Sequence, residues 1–270
     1  MQYRLLALDL DGTLLRTDHQ VDAADIAAIR ELQRAGVTVT IVTGRLLSGA
    51  THAARTCAIE GAIGCIDGSH LAEAATGQTL VHHGMREDVA ADVRAAFTGS
   101  GLTTFVFDAA GIHHDHAGAP YVPYIRTWSP NLRVVEEDVA WQTEPLAAVA
   151  VGEASAVAAA RAALAARSTE LFTVSFTTQA FPGREVLLVR TAGPTKGTAL
   201  AELCRRAGVS LAEAVAVGDW LNDIPMFEVA GRSFVMGSAP EAVRAKATDV
   251  LARPAGAGGG IAEAIRHAWG

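Results

Sequence analysis

Apolar and polar positions alternate along the first forty residues in a way that predicts short buried strands and one amphipathic helix. Residues 4–10 form an apolar run that ends in carboxylates, as buried strands often do. Residues 21–35 are predicted to form a helix, because their isoleucine and leucine side chains share one face and Gly36 suits the position after a helix. Residues 37–42 are predicted to form a second buried strand. This β-α-β order indicates a parallel sheet with right-handed crossovers.

The same order returns near the end of the chain. Residues 198–207 have a helical pattern, and residues 214–217 and 234–236 are predicted strands. We therefore expect both ends of the chain to contribute to one sheet. The predicted fold is α/β, with a Rossmann-like parallel-sheet core formed by residues 1–82 and 191–270.

The pattern changes between residues 83 and 190. Strands and helices there no longer alternate regularly, and the predicted elements are a helix around Val89, Val93 and Phe97, a strand at 103–107, an alanine-rich helix at 154–167, and strands at 172–178 and 184–190. The last two are joined by a turn at Pro182-Gly183. We interpret residues 83–190 as an α+β cap domain inserted into the core, and expect it to select a small substrate by closing over the site.

Composition and charge exclude several classes of protein. The chain has 22 basic and 29 acidic residues, a net charge of -7, so no broad basic surface is expected and nucleic acid is not a predicted partner. Cys57, Cys65 and Cys204 are too widely spaced for a zinc knuckle or a disulfide framework. No apolar run approaches the roughly 20 residues of a membrane span. We therefore expect a cytoplasmic protein that binds no membrane.

Two carboxylates follow the first predicted strand, in the segment Asp9-Leu10-Asp11-Gly12-Thr13. Extended geometry directs the side chains of Asp9 and Asp11 to the same side. Such a pair suits a nucleophilic carboxylate that forms an aspartyl-phosphate and a second carboxyl group that serves as general acid and base. The structural alternative is a turn rich in aspartate after a strand, which is common in proteins.

Three other positions supply the remaining parts of a phosphoryl-transfer site. Thr43 ends the second strand, where its hydroxyl and the Gly44 amide could bind phosphoryl oxygens, although a helix-capping role would also explain this threonine. Lys196 lies at a predicted helix start, where the helix dipole disfavours a cation, so a bound anion is indicated.

A second pair of carboxylates, Asp219 and Asp223, follows the strand at residues 214–217. The two residues are about one helical turn apart. Hard oxygen ligands of this kind suit Mg²⁺, which is usually held by one or two carboxylates together with a phosphate. An acidic helix N-terminus stabilised by the helix dipole is the structural alternative for Asp223.

The run His113-His114-Asp115-His116 is a weaker candidate for a metal site. Imidazoles and a carboxylate are good ligands for transition metals. These residues are consecutive in a predicted hairpin, however, and neighbours on a strand point to opposite faces. We therefore favour a polar turn, or a cap residue that faces substrate, over a metal centre.

Four segments of the chain resemble the four motifs of the haloacid dehalogenase superfamily, in the family order. The closest pattern is that of Cof-like phosphatases with a type IIB cap. The matching segments are LDLDGTLL at 8–15, TGR at 43–45, KGTAL at 196–200 and GDWLND at 218–223, followed by MGSAPE at 236–241. The resemblance covers the predicted core, whereas the cap matches in length and position only. It implies a Mg²⁺-dependent phosphatase with a cap of that type.

The resemblance implies a role for each residue of the first and fourth motifs. Asp9 would be the nucleophile and a metal ligand, and Asp11 would be the general acid and base, with its carbonyl oxygen on Mg²⁺. Asp219 would bind the metal directly. Asp223 would bind it directly or through water.

The remaining motif residues are implied to bind the substrate. Thr43 and Lys196 would hold the phosphoryl group, together with the Gly44 amide. Asn222 would orient Lys196 or the phosphoryl group. Arg45 is expected either to reach the substrate or to pair with an acid of the core.

One departure from the family pattern concerns the segment after the third strand. The Cof-like group often has Asn-Gly-Ala there, whereas this chain has Asp67-Gly68-Ser69. An additional carboxylate at this position would alter the preference for the leaving group.

We predict hydrolysis of a small soluble phosphate ester, such as a sugar phosphate, a nucleotide or a phosphorylated cofactor, by a monomer or homodimer. The alternatives are a phosphomutase on the same fold and a noncatalytic regulatory module that binds phosphate.

Overall fold

The computed structural model describes residues 2–270, apart from the side chains of residues 137 and 138, and divides into two compact units. The first unit consists of residues 2–81 and Pro194–Gly270, and the second consists of His82–Gly193. The sequence placed the boundaries after residues 82 and 190, one and three residues from those observed after 81 and 193. Each unit has a sheet and an apolar cluster of its own.

The described residues form short strands and helices along the whole chain. The strands are β1 (Leu5–Leu8), β2 (Thr38–Ile41), β3 (Ala62–Cys65), β4 (His70–Glu73), β5 (Thr79–His82), β6 (Thr103–Phe107), β7 (Ile112–His114), β8 (Leu132–Val134), β9 (Ala147–Gly152), β10 (Leu171–Thr177), β11 (Glu185–Thr191), β12 (Ala214–Gly218), β13 (Arg232–Val235) and β14 (Asp249–Val250). The α-helices are α1 (Ala23–Arg34), α2 (Leu47–Thr56), α3 (Glu87–Gly99), α4 (Val122–Ile125), α5 (Glu137–Ala140), α6 (Ala154–Ala163), α7 (Lys196–Ala207), α8 (Ile224–Val229), α9 (Glu241–Arg244) and α10 (Gly260–Trp269).

The first unit is built on a five-stranded parallel sheet with the order β14-β13-β12-β1-β2. Leu8 at the end of β1 lies beside Val217 of β12 and Ile41 of β2, so these three strands end at the same level. Apolar clusters cover both faces, as the continuous burial of a parallel strand requires. The predicted α/β fold with a parallel core sheet is therefore confirmed.

Strand β3 continues the path of the chain beside this sheet. A single parallel bridge between Val42 and Gly64 connects the end of β2 to β3. Strands β3, β4 and β5 then form a separate three-stranded sheet, in which β3 and β4 are antiparallel. The turn between β3 and β4 contains Asp67, and it therefore begins near the carboxyl end of β2.

The second unit is a six-stranded sheet with the order β10-β11-β9-β6-β7-β8. Its apolar cluster joins α3 and α6 to the sheet through residues such as Phe97, Val157 and Ala150. The pairs β6-β7 and β10-β11 are antiparallel neighbours in sequence, as an α+β insertion implies. The sequence pattern did not identify β9, which lies between β6 and β11.

Candidate active site

The candidate site lies at the carboxyl ends of three parallel strands of the first unit. Asp9 follows β1, Thr43 lies two residues after β2, and Asp219 follows β12. Because Leu8 is in register with Val217 and Ile41, the chain delivers these three side chains to one edge of the sheet. The Asp9 amide still donates a hydrogen bond to the carbonyl of Val217, at 3.0 Å, which anchors the first residue of the turn.

A buried ammonium group joins two carboxylates in this site. Nζ of Lys196 lies 2.6 Å from Oδ1 of Asp9 and 2.6 Å from Oδ1 of Asp223. The three residues are at most 5% exposed to solvent. Lys196 is the first residue of α7, and Thr195 caps that helix by accepting a hydrogen bond from the Thr198 amide. The capped and buried start of α7 thus holds the Lys196 ammonium against the two carboxylates.

The electrostatics of this group show a deficit of positive charge. Burial raises the pKa of Asp9 well above its ordinary value, and the opposing charge of Lys196 does not cancel that effect. Burial, with help from the nearby Asp223, raises the pKa of Asp219 to about 7. Burial alone would lower the pKa of Lys196, but the charges of Asp223 and Asp9 outweigh it and raise that pKa, so the ammonium stays charged. One lysine therefore does not neutralise the carboxylates around it.

A divalent cation fits this group of acids. Carboxylate oxygens of Asp9, Asp219 and Asp223 lie within 4.8 Å of one another, and no other such cluster of acid, histidine or cysteine groups occurs among the described residues. Oxygen ligands of this type suit hard cations, and the additional charge would favour the ionised forms of Asp9 and Asp219. The predicted ligands from the first and fourth motifs are thus brought together.

Hydrogen bonds fix two of these acids in place. Oδ2 of Asp223 accepts hydrogen bonds from the backbone amides of Asp219 and Trp220, at 2.9 and 3.0 Å. The Asp223 side chain therefore stabilises the short turn that follows β12. Oδ1 of Asp219 accepts from the Thr13 hydroxyl at 3.3 Å. Gly12 has a φ of 82°, and a Cβ there would overlap the Asp219 carboxylate, so the turn after β1 requires glycine.

The side chain of Asp11 lies apart from the other acids and pairs with Arg45. Nε of Arg45 donates to Oδ2 of Asp11 at 2.7 Å, and Nη2 donates to Oδ1, which makes the pair bidentate. The Arg45 side chain is only 10% exposed, whereas that of Asp11 is 56% exposed. Of the two roles expected for Arg45, the structure shows pairing with an acid of the core. Contact of Asp11 with a metal through its carbonyl oxygen stays a prediction.

Thr43 and Gly44 occupy the turn that the sequence assigned to the phosphoryl group. Thr43 is fully buried, and its hydroxyl accepts a hydrogen bond from the Arg45 amide at 3.1 Å. Asn222 was expected to orient Lys196 or the phosphoryl group. In the structure, its Nδ2 donates instead to Oδ1 of Asp67, at 2.9 Å.

The sequence analysis connected Asp67 with the preference for the leaving group but gave it no partner in the site. The signal that pointed to it was its departure from the asparagine that the Cof-like group often has. Motif spacing could not place it, because its position depends on the turn after β3 and not on the ends of the parallel strands.

The histidine run of the second unit forms no metal cluster in the part of the chain that the structure describes. Nε2 of His113 lies 2.8 Å from Oδ2 of Asp108, and Nδ1 of His114 lies 2.6 Å from the carbonyl oxygen of Asp115. These hydrogen bonds account for one nitrogen of each ring without an ion.

None of the described helices is long and apolar enough to cross a membrane.

Comparison with known proteins shows similarity over nearly the whole chain. A family model described as haloacid dehalogenase-like hydrolase matches residues 6–265. An HMP-PP phosphatase of Cronobacter sakazakii is 28% identical over 239 residues, which cover 87% of this chain and 85% of that protein.

Solved structures share the fold. A haloacid dehalogenase-like hydrolase from Bacteroides thetaiotaomicron superposes with a TM-score of 0.84 at 22% identity, covering 98% of this chain and 99% of the other. A sugar phosphatase of HAD subclass IIB superposes with a TM-score of 0.79 at 20% identity, covering 98% of each chain.

Proposed function

This chain belongs to the haloacid dehalogenase-like hydrolases, and from that premise we propose that it is a Mg²⁺-dependent phosphatase acting on small phosphomonoesters through an aspartyl-phosphate on Asp9. The single observation that carries the proposal is the position of Asp9. Its buried carboxylate lies 2.6 Å from the Lys196 ammonium and within a cluster of three acids that suits a cation.

Asp9, Asp219 and Asp223 would hold the cation, which when bound offsets the negative charge of the phosphoryl group. Lys196 lies against Asp9, and the Gly44 amide lies at the end of the neighbouring strand, so these groups would bind the nonbridging phosphoryl oxygens. Fixing the phosphoryl group beside the nucleophile in this way contributes much of the rate of phosphoryl transfer.

The reaction would proceed in two displacements at phosphorus. In the first, a carboxylate oxygen of Asp9 bonds to phosphorus while the bond to the ester oxygen breaks, and Asp11 gives its proton to the leaving alcohol. In the second, Asp11 takes a proton from water, the water oxygen bonds to phosphorus, and the bond to Asp9 breaks. Inorganic phosphate and the regenerated Asp9 carboxylate are the products.

The bidentate pair with Arg45 gives Asp11 a defined position for these proton transfers. A guanidinium fork fixes both oxygens of a carboxylate, which a lysine could not do. The pair as observed holds the carboxylate form of Asp11, which is the form that takes a proton from water in the second displacement. The oxygen that then carries the proton would leave the fork and return the acid form for the next cycle. Arg45 would therefore act through Asp11 and not by contact with the phosphoryl group.

The substrate is proposed to be a small ester, with the second unit, His82–Gly193, selecting the leaving group. Support for a phosphatase comes from the relatives, of which one is named an HMP-PP phosphatase and another a sugar phosphatase. We expect neither nucleic acid nor folded phosphoproteins to be substrates.

Hydrolysis is tested against the alternative of a phosphomutase by one experiment. The enzyme is incubated with Mg²⁺ and hexose 1-phosphates or 6-phosphates, and both inorganic phosphate and isomerised sugar are followed over time. We expect phosphate to be released without isomer. Isomer that forms faster than free phosphate would show that the sugar, and not water, accepts the phosphoryl group. No release and no isomer from any of a panel of small esters would favour a noncatalytic phosphate-binding module.

A further inference from the structure

Asp67 lies in a turn whose backbone conformation is unusual. Ile66, Asp67 and Gly68 follow β3, and all three have positive φ angles, of 46°, 49° and 98°. Residues other than glycine, and β-branched residues above all, rarely adopt this conformation. The turn is held by hydrogen bonds from the Ile66 amide to the Arg45 carbonyl and from the Asp67 amide to the Thr43 carbonyl, each 3.0 Å long. The loop after β2 therefore positions Asp67.

The same turn packs against the helix that carries Lys196. A Cβ built on Gly68 would lie only 2.5 Å from the carbonyl oxygen of Thr195, the residue before Lys196. Gly68 thus allows the two segments to approach closely, and its positive φ also suits glycine. Contacts with both the loop after β2 and the start of α7 fix where the Asp67 side chain begins.

The Asp67 carboxylate lies next to the turn that is proposed to bind the phosphoryl group. Its Oδ1 accepts the hydrogen bond from Asn222, and a Cβ built on Gly44 would lie 3.5 Å from that same oxygen. The charge of Asp67 also acts on Lys196, since it is among the charges that raise the pKa of that ammonium. A negative charge thus lies within the site, close to the Gly44 amide.

A count of formal charges shows what this carboxylate adds. Asp9, Asp219 and Asp223 carry three negative charges when ionised, and Lys196 with a divalent cation carries three positive ones. Asp67 adds a further negative charge, and the hydrogen bond to its carboxylate comes from the uncharged amide of Asn222 and not from a cation.

We propose that Asp67 is a specificity-determining residue, which disfavours substrates with a second negative group next to the transferred phosphoryl group. The inference rests on the proposed phosphatase function. The preferred substrates are phosphomonoesters, in which the ester oxygen is bonded to carbon. Diphosphates, in which that oxygen is bonded to a second phosphorus, are the disfavoured class. Like charges at close range repel, and a site partly shielded from water strengthens that repulsion.

The substitution Asp67→Asn removes the charge and little else. Asparagine tolerates a positive φ, and its amide can still form a hydrogen bond with Asn222. Asp67→Gly is a second variant that removes the carboxylate and adopts the observed φ of 49° without strain. Glu60→Gln is the matched control, because Glu60 is an exposed acid located before β3, at the end of that strand opposite Asp67.

The experiment measures kcat/KM for phenyl diphosphate and phenyl phosphate with Mg²⁺, at low and high NaCl. In the wild type we expect the ratio of diphosphate to monoester to rise with salt, because ions screen the repulsion. In Asp67→Asn and Asp67→Gly we expect the ratio at low salt to increase on the order of tenfold and to lose its salt dependence. Glu60→Gln should behave like the wild type.

The outcomes separate this inference from the function on which it rests. If the wild type hydrolyses phenyl phosphate with Mg²⁺, but both folded Asp67 variants keep the wild-type ratio and its salt dependence, Asp67 does not determine specificity. If the wild type releases no phosphate from either ester, the proposed function is overturned, and the role of Asp67 with it. A changed ratio in Glu60→Gln as well would mean that net charge, and not the position of Asp67, is responsible.

Discussion

The ion pairs around Lys196 in the first unit and around Arg167 in the second unit lie at different depths. In the first unit, Lys196 and its partners Asp9 and Asp223 are buried at the ends of the parallel strands. In the second unit, Arg167 lies near the surface and pairs with Asp88 and Asp92, whose side chains are each 52% exposed. Burying charges costs free energy even when they are paired, whereas exposed pairs cost and contribute little. The unit with the buried charges is the one in which we propose the phosphoryl transfer.

Some buried polar groups of the second unit are paired with near neighbours in the sequence. His113 and Asp108 form a buried pair, and the other oxygen of Asp108 accepts from the amides of Ala110 and Gly111. Aromatic rings such as Tyr121, Tyr124 and Phe181 pack edge to face, with centroids 4.9 to 5.2 Å apart. Local hydrogen bonds and ring contacts of this kind indicate a structural role. The difference between the units teaches that unbalanced buried charge, and not buried polarity alone, marks the candidate site.

Removal of divalent metal should have the largest effect. With EDTA, hydrolysis of an aryl phosphate should fall to background and return when Mg²⁺ is added, because the acids of the first unit lack a balancing charge. Phosphate release is measured together with the melting temperature, which Mg²⁺ should raise if it binds the folded chain. Full activity in a metal-free preparation would show that the buried acids of the first unit need no cation for catalysis.

Replacement of the nucleophile should cost nearly as much. Asp9→Asn should lower kcat roughly 10³-fold or more, because an amide is a poor nucleophile and a poor ligand, while the far-ultraviolet circular dichroism spectrum stays unchanged. The control is Asp18→Asn, which changes an exposed acid that pairs with Arg16. Wild-type kcat in Asp9→Asn would require a different nucleophile.

Loss of the guanidinium fork at Asp11 should have an intermediate effect. Arg45→Lys keeps the charge but cannot bind both carboxylate oxygens, so kcat should fall by roughly 10- to 100-fold. KM should change little, because Arg45 pairs with Asp11 and is not proposed to contact the phosphoryl group. The control is Arg55→Lys on α2, and a change confined to KM would instead place Arg45 in substrate binding.

Stability of the metal-free protein should depend on pH through Asp219. Its pKa is about 7 in the fold against 3.8 ordinarily, so between these values the folded state binds more protons and stability falls as pH rises. The loss should be on the order of 2 kcal/mol, below the full value of such a shift because solvent screens the group. Urea unfolding in EDTA at pH 5 and 7.5 measures it.

Asp219→Asn is the matched variant for that experiment, since it has the same shape and no titrating proton. It should lose less stability over the same interval. Equal pH dependence in the wild type and Asp219→Asn would show that other groups, such as Asp9, cause the loss of stability with rising pH.

The smallest effect should come from the histidine run of the second unit. His113→Gln keeps a hydrogen-bond donor for Asp108, so kcat/KM for a small aryl phosphate should stay within about twofold of the wild type. Metal analysis of the purified protein should find no zinc bound through these residues. Stoichiometric zinc that is lost in the variant would overturn the contrast and make the second unit a metal site.

Much of the secondary structure could be predicted from the sequence, because periodicity reports which face of an element is buried. Strand β6 was predicted with its observed bounds, and β12 differed by one residue. Strand β9 was not predicted, although it lies inside the sheet of the second unit. Its sequence, AAVAVG, is rich in alanine, which has a low preference for strands, so the pattern lacked a clear signal.

The sequence alone identified the motif residues, because a strand that ends in carboxylates and a cation at a helix start are local patterns. Asp9, Lys196, Asp219 and Asp223 are of this kind, and the structure brings them together. Only the tertiary structure decided which groups pair. Arg45 with Asp11, and Asn222 with Asp67, are 34 and 155 residues apart along the chain. Such pairs depend on how separate turns meet at the sheet edge, and no local pattern encodes that meeting.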